Sequence, residues 1–187
     1  MFEYTDYGQR VIHNTLICLS NFLKPKSYLE IGVREGDSLK AVLFGHSFIT
    51  KLVLCDTWGG KYGGSGRGGH KHIEKFLNNI RYDGEVKFLD GDSKYMIPTL
   101  DDKFDLILVD GDHSYEGAYT DLNNTWKLLE EGGFLVFDDI THKDHVYLYR
   151  CVMSFAKAVE AKIFYKNLDG NGVVVLNKCK RTAVLGY

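Results

Sequence analysis

The chain has 187 residues, 44% of them hydrophobic and 26% charged, which fits one ordinary globular domain and excludes disorder along most of its length. Its 23 basic and 25 acidic residues give a formal charge of −2, without the basic excess needed to coat nucleic acid or an anionic membrane. Four scattered cysteines (Cys18, Cys55, Cys151, Cys179) with no CxxC pair exclude a zinc finger and a disulfide scaffold, and predict reduced thiols in a cytoplasmic chain.

Met1 to Arg10 is polar and acidic, unlike a signal peptide, and no apolar run reaches the ~18 residues that span a bilayer. Apolar residues at helical spacing predict a helix over 11–23, stopped by Pro25. Ser27–Gly32 (SYLEIG) reads as a short buried strand, Asp37 to Phe48 as a helix, and Leu52–Cys55 as a second strand closed by Asp56. Residues 59–69 hold seven glycines and read as a mobile loop within the domain. A helix over 73–80 and a strand at Val86–Leu89 follow, then a short helical piece from Tyr95 to Leu100 broken by Pro98.

Phe104–Val109 (FDLILV) is the strongest strand signal and ends at Asp110. Tyr115, Ala118, Tyr119, Leu122, Trp126 and Leu129 define one apolar helix face, which the glycines of Glu130–Gly133 are expected to end. Phe134–Phe137 is a strand closed by Asp138 and Asp139. A helix over 144–159 precedes two strands, Lys162–Tyr165 and Gly172–Leu176, which the turn at Asp169–Gly172 joins as a hairpin. Strands alternating with helices predict an α/β fold: a doubly wound, mostly parallel sheet with an antiparallel C-terminal hairpin strand.

In such a sheet the ligand crevice lies outside the carboxyl ends of the strands. Here those ends carry Glu30, Asp56, Asp110, and Asp138 with Asp139. Gly32 and Gly36 permit a tight turn and close approach of backbone to a ligand, although the GxGxxG fingerprint is incomplete. Asp56 is placed either to accept ribose hydroxyls or to serve as a turn acid. Asp92 and Ser93 suit a helix cap or contact with the amino edge of an adenine. Carboxylates brought together at Asp110, Asp138 and Asp139 would repel, and a hard cation such as Mg²⁺ removes that problem; the alternative is that Asp112 and Asp139 cap helices. His113, three residues past Asp110, is the imidazole set among these acids and suits proton abstraction near neutral pH. His70 and His72 lack further ligands at metal spacing and suit contact with a substrate anion or no role. Trp58 reads as a cofactor-stacking ring or as core.

The order LEIGVREGDS, VLCDTW, LDGDS, FDLILVDGDHSYEGAYTDL, EGGFLVFDDI resembles class I S-adenosylmethionine-dependent methyltransferases over roughly residues 27 to 140. The VDGDHSYEG and FDDI segments are similar to the small-molecule O-methyltransferases grouped with macrocin O-methyltransferase and cephalosporin-hydroxylase-like proteins. That resemblance implies a Rossmann-like sheet of seven strands. It implies Glu30, Gly32 and Gly36 along the methionine part of S-adenosylmethionine, Asp56 on the ribose, and Asp92 and Ser93 on the adenine, with Asp110 bordering the cofactor. It also implies Mg²⁺ on Asp110, Asp138 and Asp139, His113 as the base, and a small-molecule acceptor with a hydroxyl. The glycine-rich loop is unusual for the family, so the acceptor is not carried over; a sugar, a natural product and a phenol all fit. A binding protein without turnover and a nicotinamide-dependent oxidoreductase are the alternative functions. Nucleic acid is disfavoured as a partner by the net charge, and homo-oligomerisation is left open.

Overall fold

The computed structural model describes residues 11–59 and 69–179. The expected mobile loop therefore falls, for residues 60–68, outside the described residues, as does the stretch Met1–Arg10. The elements are α1 (Val11–Leu23), β1 (Ser27–Ile31), α2 (Asp37–Gly45), β2 (Lys51–Asp56), α3 (Gly69–Asn79), β3 (Glu85–Asp90), α4 (Ser93–Met96) with a 3-10 turn at Ile97–Thr99, β4 (Phe104–Val109), α5 (Tyr115–Leu128), β5 (Leu129–Asp138), α6 (Leu148–Ala158), β6 (Lys162–Asn167) and β7 (Val173–Asn177).

All seven strands form one sheet in the order β3-β2-β1-β4-β5-β7-β6. β3, β2, β1, β4 and β5 pair in parallel, and β7 runs antiparallel between β5 and β6. Side chains alternate across the pleat, so each central strand feeds both faces. Leu29, Val53, Ile107 and Leu135 pack on one face with Leu122, Val152 and Phe155 of α5 and α6. Tyr28, Leu52, Leu106 and Val136 pack on the other with Leu16, Leu39 and Ile73 of α1, α2 and α3. Strands apolar on both faces are what a sheet covered on both sides requires.

Several boundaries depart from the sequence pattern, three of them for local reasons. The glycines at 132 and 133 lie inside β5 instead of ending α5. Carbonyls at the end of α5 and the start of β5 are met elsewhere: Lys178 Nζ donates to Trp126 O at 3.1 Å and to Leu129 O at 2.7 Å. A Cβ at Gly133 would stand 2.9 Å from Asp105 O, so glycine permits the approach of β4. α6 starts at Leu148, not near Asp144. Residues before it bond in turns instead, with Asp144 N donating to His142 Nδ1 at 3.3 Å and Tyr147 Oη to His113 O at 2.8 Å. α3 begins at Gly69, four residues ahead of its first buried residue, Ile73.

The order of strands reverses between β1 and β4, which makes their carboxyl ends the crevice of the sheet. No helix among the described residues is long and apolar enough to cross a membrane.

Candidate functional site

The crevice is framed by backbone packed too closely for side chains. Gly32 follows β1 at φ +87°, and a Cβ there would lie 1.8 Å from Asp110 O. Gly111, on the opposite turn, would bring a Cβ to 2.7 Å from Ile31 and 2.9 Å from Asp121 Oδ2. Only glycine at both positions allows the turns after β1 and β4 to touch. Gly36, at φ +74°, precedes α2 and completes the tight strand-to-helix turn.

Asp56 ends β2, and both of its oxygens accept from backbone: Oδ2 from Arg34 N at 2.8 Å and Oδ1 from Trp58 N at 2.7 Å. It thereby fixes the turn after β1 to the turn after β2. Each oxygen retains a further lone pair for a ligand hydroxyl. Glu30 stands near the carboxyl end of β1. It lies one residue inside the end of β1, only 1% exposed, with Oε2 accepting from Tyr28 Oη at 3.0 Å. Burial raises its pKa well above the ordinary range, and the nearby Asp110, Asp56 and Asp37 add to that effect against the Tyr28 bond. Among the described residues Oε1 has no partner, an orphaned buried acceptor of the kind a bound polar group completes.

Asp92 does cap α4, accepting from Lys94 N at 2.9 Å, and Ser93 opens that helix half-buried beside it. Trp58 is half-buried, and its indole N–H donates to Asp90 at 3.0 Å. The same carboxylate oxygen meets His70 Nε2 at 2.5 Å, and the His70 ring stacks on Phe88 with centroids 4.2 Å apart. His70 is thus engaged with protein groups, while His72 is exposed and outside that cluster. Cys55 is fully buried, and burial pushes its thiol up to about 12, in keeping with a core position.

Across the crevice, Asp110, His113 and Asp139 bring one donor atom each within 4.8 Å of one another. His113 Nε2 stands 3.2 Å from Asp110 Oδ1 and 3.6 Å from Asp139 Oδ2. Asp139 adopts φ +59°, the left-handed region, and so turns its side chain back toward β4. Asp138, the third acid expected there, ends β5 nearly buried and is not part of the group that converges. Burial raises the Asp110 pKa and Asp139 adds to it, while the bond to His113 opposes both. The His113 pKa is raised, first by its bond to Asp110 and then by the charges of Asp110, Asp139 and Asp112, against burial. Two carboxylates that repel each other in a half-buried pocket fit a divalent cation, which takes oxygen ligands readily; the imidazole beside them is a ligand or a base. Around it the rings of His145 and His113 lie 5.0 Å apart, and those of His142 and His145 5.1 Å.

Asp121 is the residue of this region that sequence reasoning passed over. It sits on α5 among apolar positions, 1% exposed, directly under the turn after β4. The signal available was an acid breaking the apolar face between Ala118 and Leu122.

A methyltransferase-domain family model matches residues 29–140. An uncharacterized protein, R132, from Acanthamoeba polyphaga mimivirus is 30% identical over 118 residues, which cover 60% of this chain and 51% of that protein. The chain therefore spans about half the length of that curated relative. Among solved structures, the O-methyltransferase NovP matches with a TM-score of 0.69 at 19% identity, covering 90% of this chain and 79% of that one. The Podospora anserina methyltransferase PaMTH1, solved with S-adenosylhomocysteine, matches with a TM-score of 0.67 at 19% identity over 92% and 80% of the two chains. TomG from Streptomyces achromogenes, an O-methyltransferase in complex with S-adenosylmethionine, matches with a TM-score of 0.65 at 19% identity over 90% and 79%. With its sheet order, its crevice between β1 and β4 and a family match over most of that sheet, the chain belongs to the methyltransferase-domain family, on a class I S-adenosylmethionine-dependent methyltransferase fold.

Proposed function

We propose that this chain transfers a methyl group from S-adenosylmethionine to a hydroxyl of a small-molecule acceptor, aided by a divalent cation, Mg²⁺ by preference. The observation that carries the reading is the convergence of Asp110, Asp139 and His113 at the mouth of the crevice, opposite Asp56. The O-methyltransferases NovP and TomG share the fold and support the choice of oxygen as acceptor atom.

Bound S-adenosylmethionine supplies a methyl group already activated by its sulfonium, and a bound cation supplies a Lewis acid that lowers the pKa of the acceptor hydroxyl. The chain supplies position and a proton acceptor. Asp56 would hold the ribose hydroxyls with the lone pairs its two backbone bonds leave free. Gly32 and Gly36 would let the first turn lie against the methionine part, with Glu30 beneath it. Asp92 and Ser93 would meet the adenine. Asp110 and Asp139 would hold the cation, with Asp138 as support behind them. His113 Nε2, the ring atom facing both carboxylates, would take the proton from the acceptor hydroxyl. Holding acceptor oxygen and methyl carbon in line supplies much of the remaining acceleration.

Calorimetric titration of S-adenosylmethionine with Mg²⁺, and again with EDTA, tests the cofactor reading. Saturable binding followed by Mg²⁺-dependent turnover in a screen of hydroxylated acceptors is the expected result. Failure to bind in both conditions refutes the assignment of Glu30, Asp56 and Asp92 together. Turnover indifferent to EDTA refutes the cation.

A further inference from the structure

Between β5 and α6 the chain turns three times in succession. His142 N donates to Asp139 O at 3.1 Å, His145 N to His142 O at 2.9 Å, and Leu148 N to His145 O at 2.9 Å. Turns closed by bonds between residues three apart bring side chains of that spacing onto one side. Asp139, His142 and His145 share the spacing. Asp139 converges with Asp110 and His113, and the two rings follow it: the His145 ring lies 5.0 Å from that of His113, and the His142 ring 5.1 Å from that of His145. Neither ring joins the group able to hold a cation, which among the described residues consists of Asp110, His113 and Asp139. The proposed chemistry gives the pair no task.

The polarity of His145 follows from its bonds. Tyr147 Oη donates to His113 O at 2.8 Å, since a carbonyl can only accept. A phenol has one hydrogen, so toward His145 Nδ1, 3.3 Å away, the same oxygen can only accept. Nδ1 therefore carries the hydrogen, and in the neutral ring Nε2 is left as a lone-pair acceptor. No hydrogen bond among the described residues engages that Nε2, and the residue is half-buried. The ring is also held in plane, stacked on His142 at 29° and tilted 62° to His113. His142 differs, because its Nδ1 already accepts from Asp144 N at 3.3 Å. His145 thus presents an oriented acceptor atom beside the residue proposed to take the proton.

We propose that His145 is a specificity-determining residue whose Nε2 accepts a hydrogen bond from a second hydroxyl of the methyl acceptor, beside the hydroxyl that reacts. The acceptor class is then a diol, aromatic or sugar-borne, in preference to a simple alcohol or phenol. This inference rests on the reading that Asp110, Asp139 and His113 form the acceptor end of the crevice. An acceptor lacking the second hydroxyl, or carrying an ether there, has no hydrogen to give and leaves Nε2 without a partner.

Imidazole-nitrogen NMR of the unaltered protein at about pH 8, where an ordinary imidazole is neutral, reads the polarity with neither metal nor acceptor present. The His145 signals are assigned by their loss in His145→Phe. The hydrogen is expected on Nδ1, and Tyr147→Phe should release that preference. A hydrogen on Nε2 in the unaltered protein overturns the proposal and leaves the methyltransferase reading intact. Calorimetry with S-adenosylhomocysteine and Mg²⁺ present then compares catechol with phenol, and methyl glucoside with a deoxy counterpart lacking one of two neighbouring hydroxyls. At least one diol is expected to bind about tenfold more tightly than its counterpart, the scale of one hydrogen bond. The pair that shows the preference distinguishes an aromatic from a sugar diol. His145→Phe should abolish the preference, and His145→Gln, which keeps an acceptor oxygen, should restore part of it. A preference that survives His145→Phe belongs to the cation and overturns the proposal, as does equal binding within both pairs. If S-adenosylhomocysteine binds but no member of either pair does, the acceptor reading beneath the inference falls and the inference falls with it.

Discussion

Replacing Asp121 by asparagine isolates what burial of that carboxylate does to stability, independently of any ligand. Its pKa rises from an ordinary value of 3.8 to about 7 in the folded chain, chiefly through burial. Between those two values the folded state binds a proton that the unfolded state has released. Stability therefore falls as pH rises across that window, and the full penalty is present above about pH 7. A rise of that size corresponds to about 4 kcal/mol, an upper figure because the asparagine amide must also find partners. Asparagine keeps the shape of the side chain and carries no charge to desolvate. Asp121→Asn should thus match the unaltered protein near pH 4 and exceed it by up to about 4 kcal/mol at pH 8. Urea unfolding at a series of pH values reads this directly, with unchanged m-values as the control for two-state behaviour. If the difference does not grow with pH, the carboxylate is not held protonated by burial, and the physical reading of this residue is wrong.

Four further outcomes follow from the geometry of the crevice. His113→Ala should lower kcat by about a hundredfold or more while leaving S-adenosylmethionine affinity within about twofold, measured by steady-state assay beside calorimetry. Asp139→Asn should raise the Mg²⁺ concentration needed for half-maximal turnover, with little effect on cofactor binding without metal. Tyr28→Phe removes the donor to buried Glu30 and should cost about 1–3 kcal/mol in urea unfolding. Gly32→Ala places a Cβ 1.8 Å from Asp110 O at a positive φ, and a loss of about 4 kcal/mol or outright misfolding is expected, read as soluble yield and thermal midpoint.

The strands were legible because their apolar runs are short, uninterrupted and closed by acids. FDLILV predicts β4 to the residue, since every position but Asp105 is buried. The crevice was legible for the same reason: strand-end acids stand out against apolar runs, and alternation with helices fixes which ends they share. Elements whose ends depend on distant partners were not legible. The start of β5 is decided by Lys178 and Asn177, 44 to 52 residues from the carbonyls they bind, and no local pattern near Gly132 reports them. Asp138 and Asp139 are adjacent in sequence, and the backbone angle at Asp139 determines which one meets Asp110. His70 looked free in the sequence because Asp90, its partner, lies 20 residues away on β3.

The acids of the crevice resemble one another in sequence and separate only by what surrounds them. Asp56 is held by two backbone N–H groups and stands at the rim. Asp110 and Asp139 share an imidazole between them, an arrangement that leaves their mutual repulsion only partly relieved. Glu30 and Asp121 are buried, each with one oxygen unpartnered among the described residues and its proton held by burial more than by any neighbour. The first kind can offer lone pairs to hydroxyls, the second can hold a cation, and the third keeps a buried oxygen for a polar group that reaches it. One of the two buried acids lies on β1 and the other on α5, against the turn that carries Gly111. A ligand seated in the crevice would therefore meet acids sorted by burial, which is why a substitution at buried Tyr28, out of contact with the cofactor, is expected to alter its recognition through Glu30.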